Sequence, residues 1–272
     1  MKDLLELSKK YRIELFEKFL EVKQGHPGSV FSIIDLMTFL FFADYVKFDL
    51  KNKILRDLLV VSKGHATVTC YPMLRDIGIL SAKEWDNWTS ENKKSCLRVF
   101  GNNSIPGIQV ATGSLGHGVG IGTGRSIIAK QESDEKFKSW IIISEGELYE
   151  GSTWEAALLA SHNDLDNLIV IVDVNNLIIL GSTQDCISLG DIDKKFESFG
   201  FDTSKANGHN FKSLENSMKI VEKKNGKPKA ILIETIKGKG IKLWENKPHW
   251  HYWNEMSKED IEAARKDLNG ST

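Results

Sequence analysis

Two continuous apolar runs, "WIIIS" at 140–144 and "NLIVIVDV" at 167–174, flank the helical stretch "STWEAALLASH" at 152–162. A strand that is apolar at every position, rather than at alternate ones, is covered on both faces. Strand, helix and strand in that order form the unit of a parallel sheet. A third run, "KAILIET" at 229–235, follows helical patterns near Asp191–Ser198 and Phe211–Lys224. The predicted class is therefore α/β, a mostly parallel sheet with helices on both faces.

The N-terminal part has a different pattern. Leu4, Leu7, Tyr11, Leu15, Phe19 and Val22 recur at three- and four-residue steps and predict an amphipathic helix from about Asp3 to Gln24. "GHPGS" breaks it. A second helix, about Ser32 to Val46, is apolar on most sides, as a buried helix is. "SKGHATVTCYPML" reads as a loop running into a helix. Ser81 followed by Glu84 is a capping pattern for a helix to Lys94. A glycine-rich passage spans 100–124, and a last helix is expected around Ser257–Leu268. With no repeat or low-complexity hinge, one domain over residues 1–272 is the simplest organisation.

A chain of 272 residues can bury a sizeable core. Its formal net charge of −1 gives no electrostatic case for nucleic acid or an anionic membrane as partner. Cys70, Cys96 and Cys186 form no CxxC, so neither a disulfide framework nor a zinc site is expected. No apolar run is long enough to span a bilayer, and "MKDLLELSKK" lacks the apolar region of a signal peptide. These features point to the cytoplasm.

The strand ends carry the chemistry. Ligands of open parallel sheets sit beyond the carboxyl ends of the strands. Glu145, Gly146 and Glu147 follow the first run; Asp173, Asn175 and Asn176 close the next. Glu145 and Asn175 are 30 residues apart, about one strand–helix–strand unit, so adjacent strands would bring them together. A carboxylate and an amide oxygen suit a hard cation such as magnesium. Gly146 allows close approach of a diphosphate, and the helix starting near Gly151 can aim free amides at it. Ordinary loop polarity is the competing explanation. A dinucleotide fingerprint is a poorer one, because no G-x-G-x-x-G register fits Gly116–Gly124.

These residues resemble the thiamine diphosphate–magnesium motif, and the resemblance extends over most of the chain to the transketolases. "KQGHPGSVFSIIDLM", "VVSKGHATVTCYPML", "IPGIQVATGSLGHGVGIGTG", "EGELYEGSTWEAALLASHNDLDNLIVIVDVNN" and "TIKGKGIKLWENKPHWHYW" are similar to five family segments, in the family order. The resemblance implies that Glu145, Asn175 and the Leu177 carbonyl hold Mg2+. It places His65, Gly146 and His251 at the diphosphate, and Gly113 and Leu115 at the aminopyrimidine. Ile179 would pack on the thiazolium, with Glu147 and Glu155 also in the cofactor-binding set. His26 and His251 would orient sugar hydroxyls and shuttle protons. Glu150, with Glu155, would belong to a carboxylate network between paired sites. His117, His162 and His209 read as structural or surface.

The pattern departs from the family where Glu145, after Ser144, replaces an Asp between glycines. It departs again at Asn102 or Asn103, where a substrate-facing His is usual, and at His117, in place of Gln. The resemblance covers the family's diphosphate-binding domain. It implies the N-terminal subunit of a split transketolase, needing a C-terminal subunit with the pyrimidine-binding domain in an α2β2 assembly. The expected reaction is transfer of a two-carbon ketol unit from a ketose or ketose phosphate to an aldehyde. The alternatives are a component of a deoxyxylulose-phosphate synthase-like or 2-oxo acid-converting enzyme, a non-catalytic homologue and a nucleotide-binding module.

Overall fold

The computed structural model describes residues 2–49, 51–52, 54–88, 97 and 99–270. The strands are β1 Phe48–Asp49, β2 Ile54–Leu55, β3 Leu58–Val61, β4 Ser139–Ser144, β5 Leu168–Val174, β6 Leu177–Ile178, β7 Gly181–Ser182, β8 Asp202–Asn207 and β9 Lys229–Glu234. Five of them form one parallel sheet in the order β3-β4-β5-β9-β8. The pairs β1/β2 and β6/β7 are short antiparallel hairpins.

The helices are α1 Lys2–Val22, α2 Pro27–Ser32, α3 Ile34–Phe42, α4 Cys70–Asp76, α5 Ala82–Asp86, α6 Gly118–Gln131, α7 Gly151–His162, α8 Thr183–Cys186, α9 Ile192–Ser198, α10 Phe211–Ser217 and α11 Lys258–Gly270. Two cores flank the sheet. Leu59, Trp140, Ile142, Ile169, Ile171, Ile231 and Ile233 face the core of α1, α3 and α10. Val60, Ile141, Ile143, Val170, Val172 and Leu232 face the core of α6, α7 and α9. Successive residues thus enter opposite cores, which is why these strands read as unbroken apolar runs.

The structure corrects several sequence expectations. Leu58–Val61 is a strand, placed just before a segment that reads as loop. Asp202–Asn207 is an edge strand; its polar residues are half-exposed and carry no strand signal. The helix expected over Ser32–Val46 is two, Pro27–Ser32 and Ile34–Phe42, and that over Phe211–Lys224 passes into a 3-10 turn at Met218–Glu222. Ser81 does cap α5, accepting from the Glu84 amide, but residues 89–94 of that expectation and Cys96 lie outside the described residues. Cys70 is buried and Cys186 exposed, both free. No helix among the described residues is long and apolar enough to cross a membrane.

Candidate active site

β4 and β5 pair in parallel with Ser144 opposite Asp173, so their carboxyl ends lie side by side. Glu145 Oε2 accepts from the backbone amides of Asn175 at 2.8 Å and Asn176 at 2.6 Å. Asn176 has φ 59°, a left-handed turn that Asn tolerates, and it folds the chain back toward β6. Asn175 Nδ2 donates to Asp173 at 3.2 Å and its Oδ1 accepts from the Leu177 amide at 3.2 Å. Burial pushes the Glu145 carboxyl up to about 7, against the pull of the two amides.

Beneath these tips lies an ion pair that sequence reasoning missed. Asp173 binds the Lys63 ammonium, the Thr235 hydroxyl and, at 2.8 Å, the Ser32 hydroxyl. Burial opposes its charge, but Lys63 and these hydrogen bonds hold it below the usual carboxylate range. Lys63 stands in "SKGHA" and carried the signal, but its partner is 110 residues away.

Three imidazoles converge on the same region. His26 lies 5.0 Å from His65 and 5.2 Å from His251, centroid to centroid, and His65 lies 5.3 Å from His251. His65 Nε2 bonds the Ser29 hydroxyl at 3.1 Å. Lys237 Nζ lies 3.2 Å from His251 Nδ1. Burial, with Lys237 second, holds His26 down to about 4 and His251 to about 3; burial and Lys63 hold His65 well below its ordinary value. Burial and Lys63 also lower Lys237 to about 8, with Asp173 and Glu145 opposing. Lys237 was a second missed residue.

The glycine passage closes the site. A Cβ on Gly64 would lie 2.5 Å from the Thr112 carbonyl carbon, so the SKGHA turn and the 112–113 backbone touch. Gly113 faces the Phe100 ring, which stands 5.4 Å from His26. Leu115 and Ile178 border Gly146, where a Cβ would find nothing nearer than 3.5 Å, leaving its backbone approachable. Ile179 is exposed on the turn between β6 and β7. Glu147 points inward, accepting from the Ser62 hydroxyl and the amides of Gly116 and Ser144. Glu150 and Glu155 are exposed, Glu150 beside Gly116. Asn102 Oδ1 accepts from the Ser104 amide at 3.0 Å. His209, which reads as structural or surface in the sequence, sits in a buried network with Asp35 and Arg12.

The donors at the strand tips fit a hard divalent cation. Carboxylate, amide and main-chain carbonyl are all oxygen, and a buried carboxyl raised to about 7 gains from a cation beside it. Among the described residues no group of three or more His, Cys, Asp or Glu forms a metal cage, so a cation would take further oxygens from its ligand or water. Nδ1 of His26 is buried with no hydrogen-bond partner among the described residues, which suits a ligand hydroxyl.

Residues 6–271 match the family model described as "Transketolase, thiamine diphosphate binding domain". The chain is 34% identical over 249 residues to an apulose-4-phosphate transketolase subunit of Actinobacillus succinogenes, covering 90% of this chain and 87% of that one. It is 33% identical to the protein of the same name from Phocaeicola vulgatus, covering 97% and 94%. Among solved structures, transketolase of Campylobacter jejuni superimposes with a TM-score of 0.88 at 27% identity. The superposition covers 99% of this chain and 43% of that one, so the chain spans less than half the length of that transketolase.

Proposed function

The chain belongs to the transketolase family, carrying its thiamine diphosphate-binding domain, and we propose that it is the N-terminal subunit of a two-chain transketolase. It moves a two-carbon ketol unit from a ketose or ketose phosphate to an aldose or aldehyde. Its partner is a C-terminal subunit with a pyrimidine-binding domain, in an α2β2 assembly in the cytoplasm. Two relatives that are themselves named as transketolase subunits, matched over most of their own length, support the split. Their names specify a sugar phosphate, which supports that substrate class. The observation that carries the reaction is the convergence of His26, His65 and His251 on one another, with Lys237 joining His251 to the charges of Asp173 and Glu145 at the strand tips.

Thiamine diphosphate, when bound, supplies the carbon nucleophile and electron sink for breaking and making the carbon–carbon bond. Glu145, Asn175 and the Leu177 carbonyl would hold Mg2+, and His65, Gly146 and His251 the diphosphate. Gly113 and Leu115 would serve the aminopyrimidine and Ile179 the thiazolium. Glu147 supports this set from below, through Ser62 and Gly116. Glu150 and Glu155, exposed beside it, face the neighbouring subunits. The Lys237 ammonium donates to His251 Nδ1, which leaves the proton of the neutral ring on Nε2, free to donate to a substrate hydroxyl. His26, neutral at pH 7 and with Nδ1 unpartnered, accepts and returns a proton at a substrate hydroxyl, while His251 orients its hydroxyl through Nε2–H. Asn102 offers a hydrogen bond to substrate where proton transfer is not required.

Affinity capture of the tagged chain from its source cells tests the split. A companion chain bearing the pyrimidine-binding domain is the expected result. Recovery of self-associated chain alone contradicts it.

A further inference from the structure

We propose that His209 is a positioning residue that fixes Lys237 in the site by gripping the backbone turn Ile236–Lys239. This turn leaves β9 and carries Lys237 to His251. The Ile236 amide donates to His209 Nε2 at 2.8 Å. That nitrogen therefore bears no proton, and Nδ1 carries it, donating to Asp35 Oδ2 at 2.7 Å. Asp35, buried in the first turn of α3, also accepts two bonds from Arg12, at 2.8 and 2.5 Å. Arg12 Nε in turn donates to the Lys239 carbonyl at 3.2 Å.

The turn is thus held at its first residue by His209 and at its fourth by Arg12, with Asp35 orienting both. Between them the Gly238 amide donates to the Gly28 carbonyl at 2.9 Å, next to the turn that bears His26. Lys237 is 3% exposed, and a Cβ on Gly28 would lie 3.3 Å from its Cγ, so the stem lies against α2. A lysine stem is flexible, and a fixed position for its ammonium requires a fixed backbone. The value of that position for catalysis rests on the ketol-transfer reading; the grip itself does not.

Amine labelling with acetic anhydride, read residue by residue by mass spectrometry, tests it on the chain alone. Lys229, fully buried in the same sheet and paired with Asp202 and Asn225, is the internal control for an intact fold. In the wild type both lysines, buried, should label slowly. His209→Ala should raise the Lys237 rate about tenfold and leave Lys229 unchanged, as local opening does. His209→Gln places an acceptor near the Nε2 position and should stay within about twofold of wild type. His209→Asn reaches Asp35 but not Ile236 and should follow Ala. An unchanged Lys237 rate in the Ala and Asn variants overturns the proposal, as does equal exposure of Lys229. The labelling needs neither partner nor cofactor, so a grip that holds in an assembly without ketol transfer would remove the functional reading alone.

Discussion

Lys63 and Asp173 pair their charges where one side chain is 1% exposed and the other fully buried. Removing one partner leaves the other charge buried and uncompensated. Asp173→Asn is expected to lower stability by about 3–5 kcal/mol. Lys63→Met with Asp173→Leu should recover much of that loss, because replacing both charges avoids the unpaired ion. Urea unfolding of the two variants checks this; an equal or larger loss in the double variant contradicts it.

The Asn175 side chain links Asp173 to the Leu177 amide and offers an amide oxygen to a cation. Asn175→Ala removes both of its side-chain hydrogen bonds and should cost about 1–3 kcal/mol in stability. It should weaken Mg2+-dependent binding of thiamine diphosphate by about ten- to a hundredfold in the assembled protein. Calorimetry with and without Mg2+ measures both terms; unchanged Mg2+-dependent affinity removes the metal assignment.

The histidine cluster makes the cofactor-free chain sensitive to mild acid. His26 at about 4 and His251 at about 3 lie below the ordinary 6.5 of an unfolded histidine. The unfolded chain therefore binds protons first as pH falls. Their contribution is whole above about pH 6.5 and is lost as pH falls toward about 4 and below. Glu145, raised to about 7, works in the opposite sense over the same range, so the histidine share is read by comparison: from about pH 7.5 to about pH 5 the Tm of His251→Phe should fall less, or rise more, than that of wild type. Equal slopes for variant and wild type would count against it.

Two glycines should respond oppositely to alanine. A Cβ on Gly64 would overlap the Thr112–Gly113 backbone, which cannot yield as a side-chain end can. Gly64→Ala is expected to cost about 1–3 kcal/mol and to displace His65. Gly124, on the exposed side of α6 with nothing within 4 Å of a Cβ, should gain up to about 1 kcal/mol on the same change. Tm measurements of the pair decide.

Apolar side chains stand exposed beyond β5: Ile179 at 48%, Leu180 at 81% and Ile187 at 68%. On the two-chain reading these side chains are where the companion would dock. Leu180→Asp should weaken capture of the companion chain at least about tenfold while leaving Tm near wild type. Undiminished capture would place the interface elsewhere.

The sequence showed those parts of the fold whose cause is local. β4 and β5 could be read because both their faces enter apolar cores. β3 was hidden because four apolar residues run straight into SKGHA, and β8 because an edge strand half open to water needs no apolar face. At the site, Glu145 and Asn175 were recognisable as acid and amide at adjacent strand ends. Lys63, Lys237 and His209 were not, because their roles come from partners brought near by the fold. Asp35, for instance, lies 174 residues from His209. Charge pairing at that separation leaves no periodic trace.

The most direct measurement is turnover by the chain reconstituted with its companion, thiamine diphosphate and Mg2+, given a ketose phosphate and an aldehyde. The expected result is a product two carbons longer than the aldehyde, lost when either chain, the cofactor or the metal is omitted. Bound cofactor without that product, or carbon dioxide released from a 2-oxo acid in its place, would contradict ketol transfer.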